Sequence, residues 1–180
     1  MMAFLGKIRD RVSAFRGDVA AAATVEFVII APILFSTVFS VFESGWLMTK
    51  YMMLDRGLDI AVRELRLGIA ADPSHDAIRD KVCDYALILR DCRESLVLEM
   101  MTVADAGSLP TVATTCVDRS IAAMPVTGFN PGARSEIVFL RACAMVDPIF
   151  PGMGLGMQLQ KDATGGFALL ASAVYVNEPE

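Results

Sequence analysis

From Phe27 to Phe42 the chain carries no charged residue, and between Val19 and Phe42 the single one is Glu26. As a helix those 24 residues reach about 36 Å, at about 1.5 Å per residue, enough to cross a hydrocarbon core of roughly 30 Å. A buried core helix is the competing reading. The remaining chain is a poor wrapper for so apolar a rod, so the pattern favours a membrane span. Asp18 is a candidate N-cap, the Ala-rich run after it favours helix, and Pro32 inside the span predicts a kink.

The helical pattern does not stop at the span. Leu47, Tyr51, Leu54, Leu58, Ala61 and Leu65 recur at alternating spacings of four and three, a stripe on one face. Asp55, Arg56, Asp59, Arg63 and Glu64 occupy the other faces, and Gly68 marks the stop. One helix from Ala22 to Leu67 would run roughly 69 Å. After the break at Asp72-Pro73-Ser74, Ser74 or Asp76 can cap a second helix, whose apolar face (Ile78, Val82, Tyr85, Ala86) extends to about Leu89. The period then changes. Glu94–Ala104, Ser135–Val146 and Gly166–Val176 read as strands, while 107–134 and 147–166 are rich in Gly and Pro and read as loops. The sum is an α+β chain: a long N-terminal transmembrane helix continuing into a domain with a second helix and a small antiparallel sheet.

Charge gives the span a direction. Residues 1–18 carry Lys7, Arg9, Arg11 and Arg16 against Asp10 and Asp18, whereas residues 43–180 are net acidic. Basic residues flanking a span favour the cytoplasm. The expected organisation is a cytoplasmic leader over 1–21, a span over 22–42 and a periplasmic α+β domain over 43–180. A cleavable signal peptide is the alternative, but its apolar run is about 7–15 residues and this one is longer.

Cys83, Cys92, Cys116 and Cys143 all fall on the exported side. An even number in an oxidising compartment points to two disulfides. Three connectivities are possible, and the sequential one, Cys83–Cys92 with Cys116–Cys143, is preferred. No closely spaced ligand pair supports a metal site, and no cofactor is implied. His75 is the lone histidine, and no motif builds a catalytic site around it. Gly152-Met-Gly-Leu-Gly lacks the Lys-Ser/Thr of a phosphate loop and reads as a flexible turn. With no such motif an enzyme is disfavoured, and with a net charge of −5 and no basic stripe after the leader, so is nucleic-acid binding.

The informative residue is Glu26, a carboxylate at the start of a membrane span. A basic leader, then Ala20-Ala-Ala-Ala-Thr-Val-Glu-Phe and an apolar run, resembles the N-terminus of type IV pilin-like proteins. More narrowly, Ala22-Ala-Thr-Val-Glu-Phe-Val-Ile-Ile-Ala-Pro-Ile-Leu resembles the TadE-like minor pseudopilins of tight-adherence (Flp) pilus systems. The resemblance implies a prepilin peptidase cut between Ala21 and Ala22, which makes Glu26 fifth in the mature chain and Phe27 the aromatic that follows. Many relatives place Gly before the cut; here Ala21 stands there, and the nearest Gly is Gly17. The geometry agrees on its own grounds: residues four apart share a helix face, so the new amine at Ala22, or a neighbour's, can neutralise Glu26. The resemblance further implies other pilin or pseudopilin subunits, the inner membrane and a pilus secretion platform as partners. The rival reading is an unprocessed single-pass scaffold or adhesion protein whose exported domain binds a partner.

Overall fold

The computed structural model describes residues 19–69, 73–110, 116–121, 125 and 127–178. The expected leader and the Asp18 cap lie outside the described residues. Helix α1 spans Val19–Arg66, 48 residues or about 72 Å, and runs through Pro32 as one element. It ends where Gly68 adopts φ 64°, with Gly68 N–H donating to the Leu65 carbonyl and Ile69 N–H to that of Glu64. That pair of bonds is a Schellman stop, which satisfies carbonyls the helix leaves over.

The stripe on α1 is the core face. Leu47, Leu54, Leu58, Ala61 and Leu65 are buried, whereas Tyr51 is 38% exposed and its neighbour Lys50 turns inward at 9%. Complete burial of a leucine such as Leu54 or Leu58 contributes about 1.5–3 kcal/mol. Helix α2, His75–Tyr85, starts at Ser74, whose side chain accepts from Ala77 N–H, and packs Ile78, Val82 and Cys83 inward. It is shorter than the pattern predicts. Leu89 is still buried, but the chain has left the helix and Leu87 stands 82% exposed. The two helices meet at Gly57, where an added Cβ would lie 2.5 Å from the Val82 carbonyl oxygen.

Glu94 and Ser95, expected in the first strand, belong instead to a short helix α3, Cys92–Ser95, that follows Asp91 in the left-handed region at φ 50°. Strands β1 (Leu96–Val103), β2 (Ile137–Val146) and β3 (Phe167–Val176) form an antiparallel sheet in chain order. Leu98, Met100, Leu140, Ala142, Ala171 and Tyr175 face the helices and complete one core. On the opposite face Glu99 and Arg141, directly paired in register, form an ion pair. A fourth helix, α4 (Gly154–Gln158), interrupts the long β2–β3 connection. Cys83 is bonded to Cys92 (Cα–Cα 5.7 Å) and Cys116 to Cys143 (5.5 Å). The first bond ties α2 to α3. The second pins the crossing segment near 116 to the central strand. The layout is the α+β arrangement expected from the pattern.

Candidate functional site: the amino-terminal helix and the loop it carries

Two regions of α1 are distinct. Its C-terminal half is packed; its N-terminal half, up to the face that carries Ser36, Phe39 and Ser40, is not. Val25, Phe27, Val28, Ile29, Ile30, Ile33, Leu34, Val41 and Phe42 are all more than half exposed. Among the described residues this is the one helix long and apolar enough to cross a membrane, with a mean hydropathy of 2.2 in its most apolar window. An apolar surface all round a helix requires lipid or other helices as its surroundings. Glu26 is exposed, and Phe27 is 65% exposed. The backbone at Ala21 and Ala22 is helical, which sets the Ala22 amide one turn before Glu26; the side chains of these two alanines lie outside the described residues.

Glu26 and Phe27 stand about 26 Å along the axis from Glu43, where a second, denser arrangement begins. The same face continues towards the N-terminus through buried Glu43, half-buried Ser40 and exposed Ser36, again at spacings of three and four. The segment 147–161 lies on this face. Glu43 is completely buried, and its carboxylate accepts the backbone N–H groups of Ile149 (3.0 Å) and Phe150 (2.8 Å). Ser40 Oγ donates to the Ser36 carbonyl at 2.7 Å and accepts Leu155 N–H at 3.0 Å. The rings of Phe39 and Phe150 pack with centroids 4.7 Å apart. Gly154, at φ 53°, lies so close that a Cβ there would meet the Ser36 carbonyl oxygen at 2.9 Å.

Two lysines also bond the backbone of this segment. Lys50 Nζ donates to the Asp147 carbonyl at 3.0 Å and lies 5.6 Å from the Trp46 ring centre. Burial pushes the Lys50 ammonium below its ordinary range, outweighing the attraction of Asp147 and Glu43. Lys161 Nζ donates to the carbonyls of Pro151 (2.7 Å) and Gly156 (2.9 Å). The Asp147 carboxylate takes a 2.8 Å bond from Arg119, which holds that carboxyl below the usual range despite some burial. Beside Lys50 an open groove of about 1140 Å³ is lined by Trp46, Leu87, Arg90, Arg119 and Ile149. Among the described residues no group of three His, Cys, Asp or Glu side chains is placed to hold a metal ion.

Of Gly152-Met-Gly-Leu-Gly, expected to be a flexible turn, Gly152 and Met153 do form a turn, whereas Gly154, Leu155 and Gly156 open α4, which is seated on α1. Glu43 was missed as a functional residue. The available signals were a carboxylate on the same face as Leu47 and Lys50, and the absence of any charge from Pro148 to Gln160. The segment also crosses the expected boundary at 42/43, because Ser36, Phe39 and Ser40 belong to the stretch assigned to the span.

Comparison with curated proteins and with solved structures finds no match to the chain. The family model described as TadE-like protein matches residues 21–63. That segment is α1 without its ends, it includes Ala21, Ala22, Glu26, Phe27 and Glu43, and over it the chain is similar to that family.

Proposed function

We propose that the chain is a minor pseudopilin-like component of tight-adherence pilus biogenesis, assembled through its N-terminal helix. It is a single-pass protein of the inner membrane, with residues 1–21 cytoplasmic, 22–42 in the bilayer and 43–180 periplasmic. The observation that carries this reading is α1 itself: a TadE-like helix whose apolar N-terminal half projects unpacked from a folded, twice-disulfide-bonded domain. The disulfides support an oxidising compartment for the domain.

Prepilin peptidase removes the leader between Ala21 and Ala22. The freed ammonium shares a helix face with Glu26, or that of a neighbouring subunit does, and neutralises it at the edge of the lipid. Phe27 packs against neighbouring helices, and the pairing of amine and carboxylate fixes the register in which pilin or pseudopilin helices bundle on the secretion platform. Nothing in this role requires chemistry from the domain, which serves as a contact surface.

The test is the intact mass and N-terminal sequence of the protein extracted from membranes. A mature chain beginning at Ala22 is expected. A chain beginning at Met1 or Met2 removes the pseudopilin mechanism and leaves an unprocessed membrane scaffold.

A further inference from the structure

We propose that the segment 148–160 is a lipid-contacting foot, resting in the outer interfacial layer of the bilayer beside the helix that anchors the chain. The inference builds on the membrane-span reading of α1 and adds a second site of contact with lipid, outside α1.

Depth is the first support. A hydrocarbon core of roughly 30 Å takes about 20 helical residues. With the span at 22–42, the core therefore ends near Phe42. The foot is seated on Ser36, Phe39 and Ser40, on the bilayer side of that point, and on Glu43 just beyond it. Ending the membrane below Ser36 would leave the charge-free stretch Phe27–Phe35, about 14 Å of helix, which spans too little. The rigid helix thus carries the foot to the depth of the outer leaflet.

Surface chemistry is the second. No charged residue occurs from Pro148 to Gln160, and Ile149, Met153 and Met157 are 49%, 46% and 62% exposed. Trp46, 38% exposed on the adjoining turn of α1, is the residue type enriched where lipid meets water.

The polar backbone of the segment is the third. Irregular backbone in an apolar layer is tolerated when protein groups satisfy it. Here side chains do so one after another: Glu43 takes Ile149 and Phe150 N–H, Ser40 takes Leu155 N–H, and Lys161 caps the Pro151 and Gly156 carbonyls. Glu43 is itself compensated, by two amide donors and by the nearby charge of Lys50, as an ionisable group at membrane depth must be.

The experiment uses the full chain, reconstituted at low density in phosphatidylcholine–phosphatidylglycerol vesicles, with Trp46→Phe removing the sole native tryptophan. Single tryptophans are then placed by Met157→Trp on the foot, Ile30→Trp in the span and Leu87→Trp on the domain surface. All three positions are more than half exposed, so each tolerates the larger ring. Expected is blue-shifted emission with loss of signal to brominated acyl chains for Met157→Trp as for Ile30→Trp, while Leu87→Trp loses signal to aqueous acrylamide. If Ile30→Trp is quenched by lipid but Met157→Trp follows Leu87→Trp, the foot is in water and the inference fails alone. If Met157→Trp is shielded from both quenchers, a protein surface covers the foot and the inference also fails. If Ile30→Trp is in water, the membrane-span reading falls and takes the foot with it.

Discussion

Glu43 is the keystone of the contact between α1 and the segment 147–161, and its replacement has a calculable cost. The carboxylate is fully buried and accepts two backbone amides, from Ile149 and Phe150. A hydrogen bond to a charged group contributes about 1.5–3 kcal/mol, and an amide left buried without a partner costs about 1–3 kcal/mol. Glu43→Gln keeps one acceptor oxygen and turns an NH₂ towards the other amide, so one bond is lost, at about 1.5–3 kcal/mol. Glu43→Ala removes both, and roughly 3–6 kcal/mol follows on the same scale. The loss falls on a segment that can lift away without unfolding the sheet, so local opening is the informative measurement. Hydrogen exchange read by mass spectrometry on a peptide covering 147–160 should accelerate by about tenfold to 150-fold in Glu43→Gln, at about 1.4 kcal/mol per decade. Peptides from β1 and β2 should change little. Unaltered exchange over 147–160 in Glu43→Ala would show that the carboxylate does not hold the segment.

Four further outcomes are expected. Glu26→Gln should leave the fold of the domain intact, since Glu26 is far from the core, yet reduce surface filaments counted by electron microscopy; full filament yield would refute its role in assembly. Gly57→Ala places a Cβ 2.5 Å from the Val82 carbonyl oxygen, and the resulting overpacking should cost about 1–3 kcal/mol, seen as a lower denaturant midpoint. Removing Cys116–Cys143, with a separation of 27 residues, should cost about 3.6 kcal/mol by the chain-entropy model, against about 2.6 kcal/mol for Cys83–Cys92, with a separation of 9. Paired Cys→Ser variants compared by denaturant titration check the order. The Arg119 bond lowers the Asp147 carboxyl, so its stabilisation is present above the ordinary aspartate value near 3.9 and is lost as pH falls through the lower folded value. The stability difference between the wild type and Arg119→Gln should therefore shrink as pH falls below about 4.

Local signals wrote most of the scaffold. The four-and-three stripe, the Gly68 stop, the Ser74 cap and the three runs of strand-forming residues depend on neighbours within a turn or two, and each lies close to where its pattern puts it. The departures have tertiary causes. Lys50 takes the inward position expected of Tyr51 because the Asp147 carbonyl waits there for its ammonium. Glu94 and Ser95 leave the strand pattern because Asp91 turns the chain and Cys92 is bonded back to Cys83. The segment 147–161 was the least legible part. Its Gly and Pro content signals a loop, but Glu43 and Ser40, which order it, lie more than 100 residues earlier. Glu26 and Phe27, by contrast, stand exposed on α1, so their reading rests on the linear motif alone.

Gly45 sits in mid-helix with no heavy atom within 4 Å of where its Cβ would be, beside Ser44. Glycine in such a place is where a rod yields first, weaker than alanine by about 1 kcal/mol. The chain ties itself to α1 on either side of that spot, at Glu43 through Ile149 and Phe150 and at Lys50 through Asp147. About two consecutive turns are thereby splinted across their weakest joint. A pull on the anchored end then reaches the sheet as a stiff lever stroke, and unfastening either tie would let the domain nod about Gly45.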